Sequence, residues 1–154
     1  MADQPGAARG YLPKVLGVSR MAGCAMIQTS DYKNIILFSD AELACPETGM
    51  VVLADGFEYS LTTLREDFGR PMKVNSCCRS AAHNKKIGGH PHSLHVWDEN
   101  YYGLDGTAAI DIATPNVSYA KDLLLMALER GWSVGVGKGF LHLDRRDYAK
   151  LPQG

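Results

Sequence analysis

Apolar residues at Leu53, Phe57, Leu61, Leu64 and Phe68 recur at steps of four, four, three and four, the spacing that lines one face of a helix with core-facing side chains. Gly69-Arg70-Pro71 follows at once, pairing a glycine suited to a left-handed cap with a proline that cannot continue the helix, so the segment stops there. A second helix is expected to begin near Pro115-Asn116, to turn Ala120, Leu123, Leu124, Ala127 and Leu128 inward, and to end at Gly131. Shorter apolar alternations predict strands over Asn34 to Phe38, Met72 to Asn75 and Ala108 to Ile112. Trp132 to Val136 and Phe140 to Asp144 read as a hairpin with Gly135, Gly137 and Gly139 near its turn. Ser39, with Glu42 three residues on, offers a capping box for a short helix that Pro46 and Gly49 cut off. Val15 to Met26 stays open between a short helix and loose packing. The order is strand, helix, strand, loop, strand, helix, hairpin, which implies an α+β domain with helices against a small, mostly antiparallel sheet.

Composition narrows the partners more than the fold. At 154 residues, with 45% hydrophobic and 21% charged content, the chain suits one globular domain. The small, polar start gives a poorly ordered leader to about Lys14 within an N-terminal segment, residues 1–30, ahead of a domain over 31–154. A net charge of −1 carries no basic footprint, so no nucleic-acid partner is expected. No apolar run is long enough for membrane insertion, and MADQPGAARG lacks the layout of a signal peptide. Cys24, Cys45, Cys77 and Cys78 lack a Cys-x-x-Cys pair and read as reduced thiols.

The chemistry concentrates between Cys77 and Ile112. Four of the five histidines (His83, His90, His92 and His95) fall there, followed by Asp111 between two isoleucines, and the fifth is His142. A carboxylate flanked by isoleucines on a buried strand is costly to ionise without a positive partner, which a divalent cation supplies. Two histidines and one carboxylate form a ligand set that catalytic zinc accepts, with a fourth position left open. His142 and Asp144 sit two apart in an apolar alternation, so on a strand they share one face while Leu141 and Leu143 take the other.

Arg79-Ser80, His83-Asn84, Gly88-Gly89, Ser93-Leu94-His95, Ala109-Ile110-Asp111 and Phe140-Leu141-His142-Leu143-Asp144 stand in the order of a known pattern. It resembles that of the zinc D-alanyl-D-alanine carboxypeptidases, with their relatives among murein endopeptidases and phage endolysins, and extends loosely from Phe38 to Arg146. The resemblance implies the hedgehog/D,D-peptidase-like fold with one zinc per chain on the sheet, held by His95, Asp111 and His142. It also implies that Arg79 neutralises the substrate's carboxylate or polarised carbonyl. Two departures matter. His95 and Asp111 lie farther apart than in the family, so Val96 to Asp105 hold an insertion, with Thr107 at the position of the family's glycine and Gly106 beside it. Three residues before His142, where relatives carry a general base, stands Gly139.

Asp144 is the expected replacement, sharing a strand face with His142 and taking the proton of an attacking water. Ser93 fixes the turn that aims His95 and joins Arg79, Trp97 and Tyr101 in the expected substrate contacts, with Trp97, Tyr101 and Tyr102 forming a wall or lid on the insertion. His83 and Asn84 brace the loop through backbone hydrogen bonds, and His90 and His92 are ordinary surface histidines or a substrate rim. The resemblance supplies the substrate, the peptidoglycan stem peptide, and the setting: a monomeric hydrolase without a signal peptide, made in the cytoplasm and acting at the bacterial wall as a phage endolysin or a remodelling enzyme. The alternative is a non-catalytic zinc-stabilised binding module of the same fold, with a metal-free structural domain ranked last.

Overall fold

The computed structural model describes residues 20–21, 24–25, 38–99 and 103–148. Strands β1 (Arg20–Met21) and β2 (Cys24–Ala25) pair antiparallel within the stretch whose pattern was ambiguous. The leader before them and residues 34–37 of the expected first strand lie outside the described residues. Next comes α1 (Asp40–Leu43), where the Glu42 carboxylate takes the Ser39 N–H at 2.7 Å and the Ser39 hydroxyl takes the Glu42 N–H, forming the expected capping box.

Helix α2 (Phe57–Phe68) buries Phe57, Leu61, Leu64 and Phe68. It starts one turn later than the spacing predicts. Gly56, at φ 80°, breaks the backbone before Phe57, and Leu53 instead bridges Thr107 in a parallel pairing. The end falls where expected, at Gly69, also in the left-handed region at φ 60°. Then follow β3 (Val74–Ser76), α3 (Ala81–Lys86), β4 (Ala109–Ala113), α4 (Val117–Glu129), β5 (Ser133–Gly137), β6 (Phe140–Asp144) and a 3-10 turn at Arg146–Tyr148. Asn116 caps α4 by accepting the Tyr119 N–H at 2.9 Å.

Helix α4 is rotated relative to expectation. Tyr119, Leu123 and Ala127 form its buried side, while Leu128 is 52% exposed. The Tyr119 ring meets Phe68 edge-on at 5.0 Å and its hydroxyl donates to the Pro71 carbonyl at 2.8 Å, a docking that sets the helix's rotation. Ion pairs Arg130–Asp67 at 2.6 Å and Arg70–Asp122 at 2.8 Å tie the residue that caps α4 to α2 and the residue just past the α2 cap to α4 at the surface.

β3, β4, β6 and β5 form one antiparallel sheet in that order. Because side chains alternate, Ile110, Ile112, Leu141 and Leu143 all enter the core, joining Leu61, Leu64 and Leu123; burying each such side chain stabilises the fold by about 1.5–3 kcal/mol. The opposite face carries one continuous row, in which Ser76 pairs with Asp111, Asp111 with His142, and His142 with Gly135. This α+β arrangement agrees with the hedgehog/D,D-peptidase-like fold. Among the described residues, no helix is long and apolar enough to cross a membrane.

Candidate metal centre

Asp111 and His142 are register partners at the middle of β4 and β6, so the sheet alone holds their side chains together on one face. His95 arrives from the loop between α3 and β4. Its carbonyl accepts the Arg79 N–H at 2.9 Å and the Thr107 hydroxyl at 2.8 Å, and its own N–H donates to the Ser93 hydroxyl at 3.3 Å. Farther back, Asn84 Nδ2 donates to the His90 carbonyl at 2.9 Å. The loop runs so close to Asn84 that a Cβ on Gly89 would lie 2.1 Å from the amide oxygen, so glycine is needed there.

Three donor atoms converge. His95 Nε2 lies 3.3 Å from His142 Nδ1 and 3.3 Å from Asp111 Oδ1, and His142 Nδ1 lies 2.8 Å from that oxygen. Donors at about 2.0–2.1 Å from a tetrahedral zinc are roughly 3.3 Å apart, so this triangle fits such an ion with little adjustment. Protonation fits as well. His95 Nδ1 is 2.7 Å from the Cys77 carbonyl, which can only accept, so that nitrogen carries the proton and Nε2 turns a lone pair to the centre. Burial, opposed by Asp111, lowers the His95 pKa and keeps the ring neutral.

The other oxygen of Asp111 accepts from Arg79 Nη2 at 2.9 Å, while Arg79 Nε donates to the Ser76 hydroxyl at 2.8 Å. Burial works to raise the Asp111 pKa, but hydrogen bonds from His142 and His95 outweigh it and hold the carboxyl well below the usual range. His142 responds in reverse: burial opposes its charge, yet Asp111 and Asp144 push it up to about 9. Asp144 faces His142 Nε2 at 3.2 Å and is 1% exposed. Arg146 grips it with Nε at 2.9 Å, Nη2 at 2.7 Å and the backbone N–H at 3.0 Å. Burial alone would raise the Asp144 pKa; His142 and Arg146 hold it at about 2.

Of the remaining expected residues, Ser93 sits in the turn that aims His95, and Trp97 packs against the core, its backbone N–H donating to the Arg79 carbonyl at 3.1 Å. Tyr101 and Tyr102 lie outside the described residues. His90 and His92 are exposed and apart from the donor triangle, and His83 faces Glu47 at 3.7 Å. Cys45, Cys77 and Cys78 are buried free thiols. Four supports went unseen in the sequence: the Cys77 carbonyl, Ser76, Thr107 and Arg146. Only Arg146 left a signal, continuing the two-residue spacing of His142 and Asp144.

Residues 38–144, which include all three donors and their loop, match the family model described as Peptidase M15. The chain belongs to the Peptidase M15 family. This metallopeptidase family is zinc-dependent, and the His95, Asp111 and His142 cluster of this M15 chain is suited to such an ion. No curated protein and no solved structure matches the chain.

Proposed function

We propose that this M15 protein is a zinc-dependent peptidoglycan peptidase that hydrolyses an amide bond in the murein stem peptide or its cross-link, as a D,D-carboxypeptidase or endopeptidase or an L-Ala-D-Glu endopeptidase. The observation that carries this reading is the donor triangle on the sheet of a chain in a peptidase family. His95, Asp111 and His142 hold one zinc per chain. Bound there, zinc supplies a Lewis acid that makes water a nucleophile near neutral pH and polarises the scissile carbonyl.

The chain's own groups divide the remaining work. Arg79 uses Nε and Nη2 on Ser76 and Asp111, while its Nη1, which makes no hydrogen bond among the described residues, is available to a substrate carboxylate or a carbonyl gaining charge. Ser93 and Trp97 are the proposed contacts of the bound peptide, with Tyr101, outside the described residues, assigned the same role from the sequence alone. Asp144, the sequence's candidate for taking the attacking water's proton, meets the centre through His142. The protein acts as a monomer at the bacterial wall, made in the cytoplasm as a phage endolysin or serving as a remodelling enzyme.

Gly139 favours a second reading, a zinc-stabilised binding module, because the position three residues before His142 offers no proton acceptor. Incubating purified murein sacculi and synthetic stem peptides with zinc-loaded protein, with and without chelator, separates the two. Chelator-sensitive release of peptides supports the peptidase, and their masses identify the bond. Binding to sacculi without any cleavage supports the module.

A further inference from the structure

We infer that Asp144 and Arg146 form a clamp behind His142 that fixes its ring with Nδ1 turned to the metal, making Asp144 a positioning residue instead of the proton acceptor. This rests on the proposed zinc centre and assigns the clamp a function within it.

The geometry begins with the two ring nitrogens. Nδ1 is the atom 2.8 Å from Asp111 Oδ1 and 3.3 Å from His95 Nε2. Nε2 projects from the other side of the five-membered ring and meets Asp144 Oδ2 at 3.2 Å. For Nδ1 to offer a lone pair to a metal, the neutral ring must keep its proton on Nε2, and a carboxylate beside Nε2 is the acceptor that selects that tautomer. His95 is fixed by the same logic with its nitrogens exchanged: Nδ1–H donates to the Cys77 carbonyl and Nε2 faces the centre. Asp111 is fixed through Oδ2 by Arg79. Each of the three ligands therefore has its atom away from the metal tied to a separate partner.

Asp144 is also badly placed to take a proton from an attacking water. Oδ1 accepts both Nε and the backbone N–H of Arg146, and Oδ2 accepts Arg146 Nη2 and His142 Nε2. The carboxylate lies on the far side of the imidazole from the donor triangle, at 1% exposure. A carboxylate so buried needs a cation, and Arg146 supplies one through a fork that leaves its own side chain 58% exposed. The sequence builds this cheaply. His142 and Asp144 alternate onto one face of β6, and the chain turns into the 3-10 segment so that Arg146 closes on the residue two before it.

The test compares Asp144→Asn, Asp144→Ala and Arg146→Gln with the full-length wild type. Zinc dissociation constants are measured by chelator competition, and stem-peptide turnover is measured at saturating zinc. A lost ligand support weakens metal binding by about 10- to 100-fold. Asp144→Ala should reach that range, with Asp144→Asn and Arg146→Gln falling between it and wild type, and saturating zinc should restore turnover to within a few-fold. Because a buried substitution can unfold the chain, nitrogen-15 NMR of the zinc-loaded wild type gives an independent readout: His142 should show a protonated Nε2 and a metal-bound Nδ1. Metal on Nε2, or Asp144 variants that hold zinc as tightly as wild type while losing turnover, would overturn the clamp and leave the zinc peptidase standing. Wild-type protein that takes up no zinc would bring down both.

Discussion

Arg79 Nη2 donates to one oxygen of Asp111 at 2.9 Å, while the other oxygen of that carboxylate faces His95 and His142. The pair is largely buried, with side chains 14% and 10% exposed, so the guanidinium both aims the carboxylate and offsets its charge before any metal arrives. Arg79→Ala should therefore weaken zinc binding by about 10- to 100-fold as well as reduce turnover. Arg79→Lys keeps the charge but has no fork to span Ser76 and Asp111, and should fall between. Chelator competition gives the binding term, and turnover at saturating zinc gives the rest. An Arg79→Ala protein with wild-type zinc affinity would assign the arginine to substrate alone.

Zinc capture should release a proton from His142, which its two carboxylate neighbours push up to about 9 in the metal-free protein. The bound metal needs the lone pair that this proton occupies. Below pH 9, apparent zinc affinity should rise about tenfold per pH unit, with about one proton released per zinc near pH 7. Calorimetry in buffers of different ionisation enthalpy counts that proton. Affinity that stays flat between about pH 6.5 and 8.5 would contradict the assignment.

The metal-free fold should lose stability toward alkaline pH. His142 has a raised folded-state pKa, so its contribution is complete below about 6.5 and fades as pH climbs toward about 9. Asp144 has the opposite sign: depressed from 3.8 to about 2, it contributes above 3.8 and fades as pH falls toward 2. Thermal unfolding of chelator-treated protein across pH should show the alkaline decline, and His142→Gln should flatten it. Saturating zinc should remove it too, since the metal replaces the titrating proton.

Damage to the loop and damage to the core should be separable. Gly89→Ala places a methyl 2.1 Å from the Asn84 amide oxygen, which shifts the loop carrying His95 and should weaken zinc binding while global stability falls only by about 1–3 kcal/mol. Leu123→Ala empties a fully buried position between helix and sheet and should cost about 2–5 kcal/mol of stability. Its folded fraction should keep wild-type zinc affinity. Urea unfolding and chelator competition on both variants report the two effects.

The sequence was most legible where a local rule had a single solution. Ser39 and Glu42 could form a capping box from their spacing alone, Gly69 and Pro71 could only end a helix, and the alternation from Phe140 to Asp144 could only place His142 opposite the leucines. The α4 face is not fixed by its pattern, because Leu124, Leu125 and Leu128 make the helix apolar on more than one side, and the anchor that sets its rotation is a tyrosine reaching Pro71. Alternation likewise brought Asp144 to the His142 face without showing which ring nitrogen it meets. The Cys77 carbonyl had no signature because every residue has one, and the Thr107 contact depends on the path of the loop between His95 and β4.

Two of the three converging donors ride on hydrogen-bonded neighbours in the sheet, and the third travels on the chain between α3 and β4. An ion there would act as a removable rivet between framework and loop. Limited proteolysis within residues 88–107 should consequently slow when the rivet is seated and quicken when it is stripped, so the cutting rate becomes a gauge of occupancy that needs no substrate.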